Sequence, residues 1–230
     1  MKKIMECVPN FSEGRNMEVM EAILEPFKHT EGMTLLDWSH DEDHNRMVVT
    51  LVGEPEALKT SVIEAVKIAV EKIDLNHHTG QHPRMGAVDV IPFVPVKGVT
   101  QEEAIELSKE VGKIIGEEIG IPVFLYEDSA TAPERQNLAK IRKGQFEGMK
   151  EKIHEPEWHP DFGPSDIHPT AGVVAVGARM FLVAYNVNLD DPNVDHATAI
   201  AKRVRHIGGG LRFCKGMGVD LTERHQSQVS

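Results

Sequence analysis

Across residues 2–96 the apolar side chains switch repeatedly between a period of two and a period near 3.6, and the order of those switches leaves few folds open. Residues 2–9, KKIMECVP, alternate as a strand. Behind an asparagine cap at Asn16, the residues Val19, Met20, Ile23, Leu24 and Phe27 recur at helical spacing. TLLDWSH (34–40) and RMVVTLV (46–52) are apolar and β-branched on either side of the polar DEDHN, the pattern of a hairpin. A second helix opens with Pro55 in its first turn and sets Leu58, Val62, Ala65, Val66, Ala69, Val70 and Ile73 on one face. AVDVIPFVPV (87–96) predicts a further strand, in which Pro92 and Pro95 cannot donate to a ladder and so mark an edge or a bulge. Strand, helix, strand, strand, helix, strand is the split βαβ, or ferredoxin-like, arrangement, with helices on one face of an antiparallel sheet.

Beyond it a third helix opens on a capping box, Thr100 with Glu103, buries Ala104, Leu107, Val111, Ile114 and Ile115, and stops at Gly120. PVFLYE (122–127) predicts a strand, and a further helix runs from about Glu134 to Gly144. Residues 154–172, HEPEWHPDFGPSDIHPTAG, are rich in proline and lack a helical period, which predicts a linker or an ordered ligand-lining loop. Residues 173–189 are strand-rich, 191–207 carry a helix starting near Pro192, and 211–223 hold another strand. A second module of the first kind begins here, with too few elements before Ser230 to finish it. The expectation is therefore an α+β chain, an α/β sandwich of two ferredoxin-like subdomains with the second incomplete at the C-terminus, divided into residues 1–170 and 171–230.

Composition narrows the function. With 40% hydrophobic and 27% charged residues the chain is ordinary globular material, and its longest apolar runs fall short of the ~18 residues a membrane helix needs. The N-terminus meets Glu6 and Pro9 where a signal peptide has its apolar core, which points to the cytoplasm. Cys7 and Cys214 are too few for a disulfide framework, in keeping with a reducing compartment. A net charge of −11 argues against nucleic acid as the main partner, so an anionic ligand must find a local cluster of Arg and His.

That cluster is NHHTGQHPRMGAVDV, residues 76–90. His78 and His82 have the i, i+4 spacing of a helical zinc site, but Gly80 and Pro83 oppose a helix there and no cysteine lies nearby. His77 and His78 close a helix, where imidazoles favour the C-terminal dipole. His82 stands apart. It sits in a glycine-bounded loop feeding a strand, next to Pro83 and Arg84, and an imidazole beside a guanidinium suits acid-base work at an anion site. The spacing alone leaves an ordinary loop histidine equally open.

This stretch, together with ECVPNFSEGRN (6–16), LLDWSHDEDHNRMVVTLVG (35–53), PVFLYE, PDFGP (160–164) and VGARMFLVAYNVNL (176–189), resembles the glutamate formiminotransferase family. The resemblance implies a transferase that moves the formimino group of N-formimino-L-glutamate to N5 of tetrahydrofolate, late in histidine degradation. It also implies two ferredoxin-like subdomains with folate as co-substrate between them, no metal, and a homodimer. His82 occupies the position of the family's catalytic histidine. Gly163, Pro164, Ser165, Asp166, Ile167, His168, Pro169, Thr170, Ala171 and Gly172 fall in the loop that lines the folate.

Both ligands carry carboxylates, for which Arg46, Arg84 and Arg179 are the candidate cations, whereas Arg15 reads as a solvated surface arginine. Asp37, at a strand end, either orients the imidazole, holds the cationic amidine, or faces water. Asn10, Asn186 and Asn188 suit hydrogen bonds to a pterin or to glutamate, or else serve turns; Asn186 and Asn188 alternate with Val187 and Leu189 and share a face. A glutamate formyltransferase using N-formylglutamate and a non-catalytic folate-binding fragment are the alternatives, with a zinc hydrolase behind them. The family continues past Ser230, and the cyclodeaminase fused behind it in some relatives is not expected.

Overall fold

The computed structural model describes residues 2–230, apart from the Glu223 side chain. The chain divides into two compact units, Met1–Met180 and Phe181–Ser230.

In the first unit the predicted succession over residues 2–97 is the observed one. Strands β1 (Ile4–Cys7) and β2 (Asn10–Phe11) are one line of chain interrupted at Val8 and Pro9, and both lie between β4 and β5. Helix α1 (Met17–His29) follows, its Asn16 side chain accepting the N–H groups of Glu18 and Val19. Then come the hairpin β3 (Met33–Asp41) and β4 (Arg46–Gly53), helix α2 (Pro55–Lys72) and strand β5 (Val88–Lys97). β3 pairs with β4, β4 with β1 and β2, and these with β5, all antiparallel.

β5 is an internal strand, and of the edge or bulge that its prolines suggested the structure has the irregularity rather than the edge. Its prolines are accommodated by irregularity: the register against β1 shifts beside Pro95, and Pro92 supplies its carbonyl to the Val8 N–H at 3.2 Å.

Helix α3 (Gln101–Ile114) carries the predicted capping box, ends in a wider turn over Ile115–Ile119, and terminates at left-handed Gly120. Strand β6 (Val123–Leu125) then pairs in parallel with β7 (Val174–Ala178), which pairs in parallel with β5. β7 is thus an internal strand of the first sheet, and the chain divides after Met180 rather than after residue 170. The helix expected over 134–144 is shortened to α4 (Leu138–Arg142), and a further helix, α5 (Gln145–Lys152), follows it across Gly144 with φ +93°.

Two cores result. One packs α1, α2 and α3 on a sheet face through Phe11, Phe27, Leu51, Leu58, Phe93 and Val111. The other, Met85, Val90, Phe124, Ile141, Met149 and Ala175, covers the opposite face of β5, β6 and β7 with α4 and α5. Burying each of these side chains, Ala175 apart, contributes roughly 1.5–3 kcal/mol. The opposite face of β3 and β4 has only partial cover.

In the second unit, β8 (Val187–Leu189), β9 (Gly218–Leu221) and β10 (Gln226–Val229) form an antiparallel sheet in the order β8-β10-β9. Helix α6 (Val194–Val204) packs on it through Ala197 and Ala201. No helix among the described residues is long and apolar enough to cross a membrane.

Candidate active site

Three loops of the first unit meet: residues 12–16 after β2, the β3–β4 turn, and residues 78–87 before β5. Asn45, in the left-handed region at φ +48°, is their common fastener. Its side-chain oxygen accepts the Gly14 N–H at 2.9 Å, its Nδ2 donates to the Thr79 carbonyl at 3.0 Å, and its own carbonyl pairs with His78 Nε2 at 3.0 Å. The Gln81 N–H adds a bond to the Asp43 carbonyl at 2.9 Å. Gly80 lies so close to the turn that a Cβ there would stand 2.4 Å from the His44 carbonyl oxygen, so only glycine lets the loop pass. On the far side Ser12 Oγ donates to the Gly86 carbonyl at 2.7 Å. Asp74 caps the short turn over Leu75–His77 by accepting the Asn76 N–H, His77 pairs with its other oxygen, and His78 is absorbed into this scaffold.

His82 is carried on that scaffold, half-buried, and neither ring nitrogen has a hydrogen-bond partner among the described residues. Burial first, then the charges of Arg46 and Arg142, with His44 and His78 behind them, push its pKa down to about 2. The imidazole is therefore neutral and its nitrogens are uncommitted, the state in which it can accept a proton.

Arg46 opens β4. It donates one hydrogen bond, Nη1 to the Asn10 side-chain oxygen at 3.2 Å, and no carboxylate lies within ion-pair distance of it among the described residues. Register explains the pairing: Asn10 lies opposite Val48, two positions from Arg46, so the two share the sheet face away from α1 and α2. Asp37 pairs with Thr50 and Ser39 with Val48, so after the bulge at Leu36 the exposed Asp37 is on the same face. Three of the predicted residues thus form part of one floor.

Arg84 does something else. Its buried guanidinium donates to both carboxylate oxygens of Glu147 at 2.7 and 3.0 Å, to Gln145 Oε1 at 3.0 Å and to His78 Nδ1 at 3.2 Å, joining the loop to α5. Arg179 directly follows β7 beside buried Cys7 and Tyr126, with its N–H on the Phe93 carbonyl. Phe93 is three residues along β5 from the Val90 that pairs with Asn10, roughly 10 Å away. Arg15 donates to the Glu42 carbonyl and Thr79 as part of the loop junction.

Residues 163–172 run back to the His82 loop. Gly163, Pro164, Ser165 and Asp166 are exposed, Asp166 pairing with His154 at 3.5 Å, while Ala171 and Gly172 are buried. The Ala171 carbonyl accepts the Ala87 N–H, and His168 Nδ1 accepts the Ala171 N–H, so His168 organises its own loop. Asn188, in the second unit, spends its side-chain oxygen on Gln228, and Asn186 is exposed before β8.

Sequence inspection missed Asp89 and Arg142. Asp89, on β5 and buried, accepts the Met85 N–H at 2.9 Å with one oxygen and an ion pair from Arg142 Nη2 with the other. A carboxylate inside an apolar strand was the available signal, since such a charge needs a partner. Among the described residues no set of three His, Cys, Asp or Glu side chains gathers to hold a metal.

Comparison with known proteins gives the same family. The family model for the formiminotransferase domain, N-terminal subdomain, matches residues 4–179. Over 230 residues the chain is 58% identical to the glutamate formimidoyltransferase of Streptococcus pyogenes serotype M1, of which it covers 77%. It is 42% identical over 229 residues to the glutamate formimidoyltransferase of Thermoplasma acidophilum, covering 75% of it. It is 48% identical to the formimidoyltransferase-cyclodeaminase of Dictyostelium discoideum, but spans only 44% of that protein.

Proposed function

This chain belongs to the formiminotransferase family, and from that premise we propose that it transfers the formimino group of N-formimino-L-glutamate to N5 of tetrahydrofolate, with His82 as general acid and base. The observation that carries the reading is the uncommitted, neutral imidazole of His82 beside two guanidiniums. Moving a formimino carbon from one amine to another passes through a tetrahedral centre. N5 must lose a proton as the new C–N bond forms, and the glutamate nitrogen must gain one as the old bond breaks. A neutral His82 accepts the first proton and, as imidazolium, returns it to the departing nitrogen. The product is 5-formiminotetrahydrofolate with free L-glutamate, and the atoms balance without a further reactant.

Arg46 supports this chemistry in two ways. Its free donors suit a carboxylate, which guanidinium binds in a planar fork. Its charge also depresses His82, so an anion that neutralises it makes the imidazole a stronger base once substrate is bound. Asn10 and Asp37 share its sheet face and are proposed to meet the same ligands. Residues 163–172, which return to the catalytic loop at Gly172, are proposed to line the folate.

The experiment is formation of 5-formiminotetrahydrofolate from N-formiminoglutamate and tetrahydrofolate by the chain and by His82→Ala. Turnover is expected in the parent, with a loss of roughly 10²–10⁴-fold in kcat for the variant. A parent that turns over only N-formylglutamate, or a variant as fast as the parent, overturns the assignment.

A further inference from the structure

We infer that Arg142, at the end of α4, is a substrate-recognition residue: with Arg46 it takes a carboxylate of one of the two anionic co-substrates, and Asp89 holds it in place to do so. This rests on the proposed transferase reaction and names a cation sixty residues from the catalytic loop. Arg142 spends only Nη2, on Asp89; its Nε is shielded from solvent and makes no hydrogen bond, and its Nη1 has no partner among the described residues. Arg46 likewise spends one nitrogen, on a neutral amide. Asn10, to which Arg46 donates, pairs across the sheet with Val90, the neighbour of Asp89. The partners of the two guanidiniums are thus adjacent on neighbouring strands, and the charge of each acts on the other and on His82. Asp89 and, more distantly, Asp41 are the carboxylates that face the pair, and Asp89 already serves the Met85 N–H.

Two half-buried like charges that act on each other repel, and burial weakens the hydration that would offset it. Asp89 answers the charge of Arg142, but Arg46 meets only a neutral amide, so the pair keeps a net positive charge that a further anion can neutralise. A carboxylate supplies two oxygens and a negative charge, which suits the free donors of both residues. The position also has a purpose. The same Asp89 holds the N–H of Met85, three residues after His82, so the recognition cation and the catalytic loop share one buried anchor. Sliding of either relative to the other breaks a charge-assisted bond inside the protein.

The test is steady-state kinetics of Arg142→Gln and Arg142→Lys, with calorimetric binding of L-glutamate and of 5-formyltetrahydrofolate to each. Arg142→Gln is expected to raise one KM, and weaken the corresponding calorimetric affinity, by roughly ten- to a hundredfold, with a much smaller change in kcat. A rise for N-formiminoglutamate and L-glutamate assigns the carboxylate to the donor; a rise on the folate side assigns it to the acceptor. Arg142→Lys keeps the charge but not the fork, and an intermediate KM is expected. It carries the test should the glutamine variant fail to fold. Unchanged KM and affinity for both ligands in a folded variant overturns the inference while leaving the transferase reading intact. A parent that neither turns over nor binds either ligand overturns both.

Discussion

Gly172 packs against Met85 so closely that a Cβ built on it would stand 2.2 Å from the Met85 carbonyl oxygen. Gly172 closes the 163–172 loop and Met85 belongs to the loop that carries His82, so the two segments meet backbone to backbone. Gly172 also has φ +67°, a conformation that costs an L-residue about 1–2 kcal/mol. Gly172→Ala therefore meets both strain and collision, and one of the two loops must move. Gly120 has φ +81° with nothing within 4 Å of its Cβ position, so Gly120→Ala carries the strain alone. The expected outcome is a modest fall in Tm and normal kcat for Gly120→Ala, against a larger fall in Tm with loss of activity for Gly172→Ala. Equal behaviour of the two variants would show that the contact does not couple the loops.

The ionisation of His82 gives a second expectation. Burial, with Arg46 and Arg142, holds its folded pKa far below the ~6.5 of the unfolded chain, and burial lowers His78 and His168 as well. With depressed folded values, the unfolded state binds more protons below about pH 6.5. The stability these groups allow is thus fully present above 6.5 and is lost as pH falls below it. Tm should fall between pH 7 and pH 5, and fall less in His82→Gln. In the free protein the His82 ring resonances should stay at their neutral positions across that range. Saturating L-glutamate, by neutralising the guanidiniums, should bring its titration upward. Ring resonances that titrate near 6.5 without ligand would contradict the proposed electrostatics.

The two arginines show what sequence could and could not disclose. Arg84 lies two residues from His82 and was the natural candidate for a ligand carboxylate, yet Glu147 occupies its fork. Arg142 was unremarked, yet through Asp89 it is tied to the loop that carries His82, because a chain folded over sixty residues decides proximity and spacing cannot. The strands and helices of residues 2–97 were legible because each changes period at its boundary, and caps at Asn16 and Thr100 mark helix starts chemically. β7 was misassigned to the second module because an apolar run buried on both faces carries no mark of which sheet it enters. The α4–α5 joint was read as a helix stop, since Gly144 at φ +93° serves either purpose.

Arg84 makes a prediction of its own. With its donors committed to Glu147, Gln145 and His78, Arg84→Met should cost about 1–3 kcal/mol in stability, measured by urea unfolding, and leave both KM values near those of the parent. Glu147 is largely exposed and can rehydrate, which keeps the cost at the lower end. A rise in KM comparable to that of Arg142→Gln, with little loss of stability, would return Arg84 to the ligand.

Arg142 in turn depends on Lys152. Helix α4 has five residues, too few to persist by its own hydrogen bonds, and Arg142 is its last. Lys152 Nζ donates to the carbonyls of Lys140, Ile141 and Lys143 at 2.7, 2.8 and 3.3 Å and lies 3.9 Å from the centre of the Trp158 ring. An ammonium on three C-terminal carbonyls satisfies groups that a short helix leaves open and complements its dipole. Burial pushes the Lys152 pKa down to about 8, so the charged clamp is complete below that value and weakens above it. Lys152→Met keeps the contact with Trp158 but removes all three donors. It should lower stability by about 1 kcal/mol and raise the same KM as Arg142→Gln, by a smaller factor. The parent should show that KM rising above pH 8, and Lys152→Met, which has no proton to lose there, should not.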